Sequence, residues 1–164
     1  MENRILEETI LKIYNGTAIL FVGAGFSSDA KNSDGGAVLS AKELSLKLCE
    51  LLGQDYVEGD ELQDLAEQCS SDIVLKEKMH TLLLRNFTQT IPSQTQKDLV
   101  NLPWRAVFTT NYDDVVEQAC NTKKFQSVTP TFNPKNLDSS MPIYYLHGRA
   151  LDINKGAADA SFVI

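Results

Sequence analysis

The chain has 164 residues, 43% of them hydrophobic, which is enough apolar surface for one substantial core and a usual size for a single domain. Its 22 acidic and 15 basic residues give a net charge of −7, and no basic run is longer than Lys123-Lys124. These values argue against direct nucleic-acid binding, although backbone N–H groups can still hold a small anion.

The sequence pattern of the N-terminal half predicts one helix, then one strand, and then a helical segment. Apolar residues at helical spacing predict a helix over 2–14, which Asn15-Gly16 ends. Residues 17–22 are apolar without alternation, which predicts a central parallel strand covered on both faces. The polar stretch 29–40 predicts a mobile loop, with Ser40 as N-cap of the next helix.

Further helices are predicted over 60–68, 72–87 and 93–100, with Asp72 as a possible cap, and they suggest a helical insertion packed on the sheet. A second buried strand is predicted over 106–109, followed by a helix that Asp113 or Asp114 opens. The run 142–146 predicts a third strand. Because 161–164 has the pattern of another strand opening, we expect the chain to be the first part of a longer protein.

The three cysteines, Cys49, Cys69 and Cys120, lie far apart in helical segments without a C-x-x-C pair. We expect them to be reduced and at least half-buried, and we expect no disulfide framework and no metal site. The N-terminus is acidic where a secretory signal needs a basic region, and no apolar run approaches the length of a membrane span. We therefore expect a cytoplasmic protein without membrane contact.

Each of the three predicted strands ends in a polar or glycine-rich cluster. The clusters are 23–28 ("GAGFSS"), 109–113 ("TTNYD") and His147-Gly148. Ligands of open α/β sheets bind beyond the carboxyl ends of the strands, so parallel neighbouring strands would bring these clusters to one edge. Exposed N–H donors after the first strand suit a pyrophosphate, Asn111 can donate and accept, and His147 is suited to general-base chemistry near neutral pH.

Each cluster also has a purely structural interpretation. The glycines can form a simple turn after a core strand, and Asn111 can be a turn residue. Asp113 and Asp114 are typical helix N-caps, and one of them could also be functional. His147 can pair with a backbone group, and His80, in an apolar helical pattern, is expected to be a surface or packing residue.

The segments "FVGAGFS", "FTTNYDDVVE" and "YYLHG", in this order, resemble the sirtuin family, and specifically the sirtuin-like NAD-hydrolase domains of bacterial antiphage defence proteins. The resemblance spans about 18–148 and implies a Rossmann-like, doubly wound α/β fold with the inserted helical segment, in one NAD-binding domain over 1–164 whose C-terminal part is missing. It implies that Asn111 and His147 are catalytic, the former ordering the nicotinamide ribose and a water, the latter acting as the base. The residues it assigns to binding NAD are Gly23, Ala24, Gly25 and Ser27 at the pyrophosphate, Asp113 near the nicotinamide amide, and Thr110 and Gly148.

Three departures bear on the activity. The chain lacks the four zinc cysteines of deacylase sirtuins and has no clear equivalent of their Asp-Phe-Arg after the glycine turn. Thr110 replaces their Gln, and the later Gly-Thr/Ser segment that holds adenosine is missing. The resemblance then implies an NAD+ hydrolase, with NAD as substrate and no metal, that releases nicotinamide and ADP-ribose. It would be the toxic effector of an abortive-infection system, controlled by oligomerisation or by a partner or domain that senses phage. The alternatives are a non-catalytic module that senses NAD or ADP-ribose and, disfavoured by the missing cysteines, a protein deacylase or ADP-ribosyltransferase.

Overall fold

The computed structural model describes residues 2–153, and within them lies a four-stranded sheet in which all neighbouring strands are parallel. The strands are β1 Ile19–Val22, β2 Ala106–Thr109, β3 Phe125–Val128 and β4 Met141–Tyr145, in the spatial order β1-β2-β4-β3. Helices flank the sheet, and the predicted Rossmann-like α/β fold is confirmed. The sequence did not predict β3, since "FQSV" has two polar residues in a run of four. The strand predicted over 161–164 lies outside the described residues.

The helices follow the predicted order closely. They are α1 Glu2–Tyr14, α2 Ala24–Ser27, α3 Ala41–Leu52, α4 Leu62–Ser70, α5 Ile73–Phe87, α6 Gln94–Val100 and α7 Val115–Ala119, with short 3₁₀ turns at Pro134–Asn136 and Ala150–Asp152. Ser40 caps α3 in a reciprocal capping box with Glu43, and Asp72 accepts bonds from the first N–H groups of α5. The glycine turn differs from the prediction because it continues directly into the single helical turn α2.

β1 lies at one edge of the described sheet, so the prediction of a central strand covered on both faces is wrong. Ile19 is 55% exposed and Phe21 is 64% exposed, whereas Val22 is buried. Successive strand residues point to opposite faces, so only one face of β1 packs against the core. A short apolar run cannot distinguish these cases, because both faces of β1 carry apolar side chains.

Two hydrophobic clusters organise the described residues. The first covers one face of the sheet, where Val107 and Ile143 pack against residues of α6 and α7. The second joins helices α3, α4 and α5 through buried residues such as Leu48 and Leu83, which confirms the inserted helical segment. Phe26, in α2, packs against both clusters. The glycine turn therefore lies where the helical insertion meets the sheet.

The three cysteines are free and buried, as predicted. Within residues 2–153, no helix has both the length and the apolar character needed to cross a membrane.

Candidate functional site

The sheet register brings the three strand ends together. Val22 lies beside Thr109, and Thr109 lies beside Tyr145. Backbone bonds continue past the strand ends, from Thr110 N–H to the Val22 carbonyl and from Leu146 N–H to the Thr109 carbonyl. The three segments expected to carry function thus leave the sheet at the same edge.

A cavity of about 520 Å³ opens between this edge and the helical insertion. This volume is within the usual range for small-molecule sites. Ala24, Gly25, Ser27, Thr110 and Asn111 line it, together with apolar residues of the insertion and the preceding loop. No Lys or Arg is among the described residues that line it, so an anionic ligand would depend on backbone and hydroxyl donors.

Asn111 is 8% exposed and its side-chain amide is tied to the glycine turn. Nδ2 donates to the Gly23 carbonyl at 3.0 Å and to Ser27 Oγ at 2.8 Å. A carbonyl oxygen can only accept, so the atom facing Gly23 is the nitrogen, and both of its hydrogens are used. Oδ1 accepts no hydrogen bond from another described residue. Asn111 therefore offers the cavity an acceptor only, although the sequence suggested that it could donate and accept.

Asp113 is not among the residues that line the cavity. It is 5% exposed, and this burial raises its pKa to about 6. The 3.1 Å hydrogen bond that its carboxylate accepts from the Val115 N–H favours the ionised form, while the nearby Asp114 carboxylate opposes ionisation. Asp113 is thus a buried acid outside the lining of the cavity.

Asp114 has a structural role. Its carboxylate accepts bonds from Gln89 N–H at 2.7 Å, Thr90 N–H at 3.0 Å and the Thr90 hydroxyl at 2.6 Å. These bonds fix the segment after α5 to the start of α7. Asp113 and Asp114 were the two acids predicted to open α7. The side chain of Asp113 accepts a hydrogen bond from the N–H of Val115, the first residue of this helix.

His147 is exposed at the end of β4 and is not among the cavity-lining residues. Its ring packs edge-on against Tyr112, with 6.4 Å between ring centroids, and Tyr112 does line the cavity. The next residue, Gly148, is buried with φ of 79°, a left-handed conformation that favours glycine. The structure thus places His147 beside Tyr112 but outside the lining of the cavity, and the left-handed backbone at Gly148 gives that glycine a conformational role.

The two glycines of the turn differ in their surroundings. A Cβ at Gly23 would lie 3.3 Å from Thr110 Oγ1, so this position lets the first and second strand ends approach closely. A Cβ at Gly25 would meet nothing within 4 Å, and Gly25 lines the cavity. Gly25 therefore leaves space for a ligand, whereas Gly23 serves packing within the protein.

The loop 29–40 is anchored at its middle by Asn32, which the sequence analysis missed. Asn32 Oδ1 accepts from the N–H groups of Asp34 and Gly36, and Nδ2 donates to the Ala37 carbonyl and to Asn86 Oδ1. The only signal in the sequence is an Asn among Ser, Asp and Gly, a composition typical of turns. Residues 37–40 of this loop line the cavity, so Asn32 helps to shape its wall.

The described residues contain no group of three or more His, Cys, Asp or Glu side chains placed to hold a metal ion. In comparisons with known proteins, no protein-family model and no curated protein matches the chain.

Proposed function

We propose that the protein hydrolyses NAD+ at the bond between nicotinamide and ribose. The observation that carries this proposal is the shared edge of β1, β2 and β4, where the glycine turn and Asn111 meet at a cavity of about 520 Å³. Ligands of parallel α/β sheets bind at such an edge. The resemblance to sirtuin-like NAD hydrolases suggests which bond is cleaved and which residues take part.

In the proposed reaction, the bond between ribose C1′ and the nicotinamide nitrogen breaks, and its electron pair neutralises the charge on the ring. Nicotinamide leaves as a neutral molecule, so no strong general acid is required. A water oxygen bonds to C1′ and its proton passes to His147, which acts as the base. The transition state carries positive charge on the ribose, as in glycoside hydrolysis.

Asn111 supports this chemistry through Oδ1. An oxygen that can only accept orients a ribose hydroxyl or a water by binding its proton, and its partial negative charge faces a developing cation. The glycine turn, with open space at Gly25, would hold the pyrophosphate through backbone N–H groups. In a cell this activity would deplete NAD+, so we expect control by oligomerisation or by a partner that senses phage.

One observation favours a second candidate, a module that binds NAD or ADP-ribose without cleaving it. His147 is exposed and lies beside Tyr112 rather than in the lining of the cavity. Catalysis would require this side chain to turn toward the ligand, whereas binding would not.

The test is incubation of the full chain with NAD+, with nicotinamide and ADP-ribose measured by chromatography. We expect wild type to release both, and Asn111→Ala and His147→Ala to lose most of the release while still binding ADP-ribose by calorimetry. His80→Ala is the matched control, because His80 lies half-buried in α5 away from the cavity and its loss should leave the release unchanged. Binding without release by wild type would favour the sensing module, and no binding would contradict both candidates.

A further inference from the structure

Glu43, in the first turn of α3, is the only side chain with a formal charge among the described residues that line the cavity. The other lining residues are apolar or carry only hydroxyl or amide groups. The neighbouring Lys42 is exposed and is not part of the lining. Within the described part of the chain, the α3 side of the cavity therefore presents a carboxylate and no cationic side chain.

The start of a helix attracts anions, because its first N–H groups lack partners within the helix. Ser40 and Ala41, at the start of the 12-residue helix α3, line the cavity. Here, however, Glu43 Oε2 accepts from the Ser40 N–H at 2.8 Å and from the Ser40 hydroxyl at 2.7 Å. The Glu43 N–H in turn donates to Ser40 Oγ at 3.3 Å. A carboxylate of the chain itself thus lies where this helix start could otherwise bind an anionic ligand.

The same hydrogen bonds keep Glu43 charged at neutral pH. The bond from the Ser40 backbone, and then the bond from its hydroxyl, hold the pKa of the carboxyl below its usual value of 4.5. A phosphate monoester carries a charge of about −1.5 to −2 at pH 7. Glu43 is exposed, so water and salt weaken its repulsion of such a group without removing it.

We propose that Glu43 is a specificity-determining residue that selects NAD+ over NADP+. The inference rests on the proposed function, in which the glycine turn holds the pyrophosphate and Asn111 orients the nicotinamide ribose. The rest of the dinucleotide would then lie toward the α3 side of the cavity. NADP+ differs from NAD+ by a phosphate monoester on the adenosine ribose. A ribose hydroxyl can donate to a carboxylate, whereas this phosphate adds negative charge to a cavity that offers it no cationic side chain.

The first test measures binding and needs no cleavage of NAD+. ADP-ribose and ADP-ribose 2′-phosphate are each titrated into the full chain and followed by calorimetry. We expect wild type to prefer ADP-ribose by about tenfold or more, and Glu43→Gln to reduce this preference by about fivefold. Glutamine can replace glutamate in a capping box, so the substitution removes the charge and retains the helix start. An equal preference in wild type and Glu43→Gln would overturn the proposal.

The matched control is Glu50→Gln. It removes the same charge from the same helix, at an exposed position outside the cavity lining, so the preference should stay as in wild type. A comparable loss of preference in Glu50→Gln would also overturn the proposal, because the net charge of the protein and not Glu43 would then set it. Added salt should reduce the wild-type preference more than that of Glu43→Gln, since salt screens exposed charges.

Turnover gives the same comparison with the two dinucleotides. We expect kcat/KM for nicotinamide release to be higher with NAD+ than with NADP+, and Glu43→Gln to narrow the difference mainly through KM. If wild type binds ADP-ribose and its 2′-phosphate equally well, this inference fails and the proposed function stands. If wild type binds neither compound and cleaves neither dinucleotide, the proposed function fails and the inference fails with it.

Discussion

The Asn32 side-chain amide donates a 3.1 Å hydrogen bond to Asn86 Oδ1, joining the loop that walls the cavity to the C-terminal part of α5. Both residues are buried, at 8% and 7% exposure. Asn86 Nδ2 in turn donates to the Leu82 carbonyl one helical turn earlier, which sets the direction of its own amide. The wall of the cavity is therefore supported by a helix of the insertion through one pair of amides.

Asn86→Ala should loosen this loop and weaken ligand binding. It leaves a hydrogen of the buried Asn32 amide without its acceptor, which costs about 1–3 kcal/mol. We expect faster amide exchange over 33–40 and a lower affinity for ADP-ribose, measured by hydrogen exchange and calorimetry. Arg85→Ala is the control, because it removes an ion pair with Asp34 whose side chains are 65% and 48% exposed, and such pairs contribute about 1 kcal/mol or less. An equal effect of both substitutions would contradict this account.

The two turn glycines should respond in opposite ways to alanine. Gly25→Ala places a methyl group in open space within a helical turn, so the free energy of unfolding should stay equal or rise by up to about 1 kcal/mol. The proposed function places the pyrophosphate at Gly25, which lines the cavity, so an added methyl group there should weaken ADP-ribose binding. Gly23→Ala instead crowds Thr110 Oγ1 at 3.3 Å and should lower stability. Urea unfolding and calorimetry on both variants measure this, and tight binding by a stable Gly25→Ala protein would exclude Gly25 from the ligand site.

Asp113 should make the protein less stable as the pH rises. Its pKa is about 6 in the folded protein against a usual value of 3.8, so the folded state binds the proton more tightly than the unfolded chain. The resulting stabilisation is complete below about pH 4 and is lost as the pH rises through about 6, and it amounts to about 3 kcal/mol.

Urea unfolding of wild type and Asp113→Asn at several pH values between 4 and 7 isolates this contribution. The other titrating groups are common to both proteins, so their effects cancel in the difference. The advantage of wild type over Asp113→Asn should shrink across this range. A constant difference, or one that grows with pH, would show that the folded protein does not hold the proton on Asp113.

Arg149 should stabilise the turn that follows His147 through a nearly buried ion cluster. It bonds to Glu117 of α7 at 2.6 Å and to Asp152 at 2.8 Å, and the three side chains are 11–14% exposed. Arg149→Met leaves both acids without this partner, which should cost about 3–5 kcal/mol. Combining it with Glu117→Gln should cost less than the sum of the two single changes, as chemical denaturation can measure.

An exposed pair provides the comparison for this cluster. Lys47 and Glu50 form an ion pair on α3 with side chains 48% and 65% exposed, so Lys47→Met should cost about 1 kcal/mol or less. If Arg149→Met costs no more than Lys47→Met, or if the double-mutant energies simply add, the cluster does not stabilise the turn.

The sequence by itself determined most of the local structure. Apolar spacing located α1, α5 and the strands β1, β2 and β4, and the caps at Ser40 and Asp72 marked where helices begin. These features depend on residues a few positions apart, so the local pattern carries enough information. The same reasoning pointed to the segments after three strands, and the parallel register brings their starting points to one edge.

Only the tertiary structure decided what these segments can do there. The Asn111 amide nitrogen donates to the Gly23 carbonyl, 88 positions away, and to Ser27, so Asn111 keeps only its oxygen for a ligand. Asp113 is a buried acid outside the lining of the cavity. The edge position of β1 and the Asn32–Asn86 support of the cavity wall likewise depend on contacts between distant segments. No local period or cap encodes such contacts, because burial and hydrogen-bond direction are set by whichever segments meet when the chain folds.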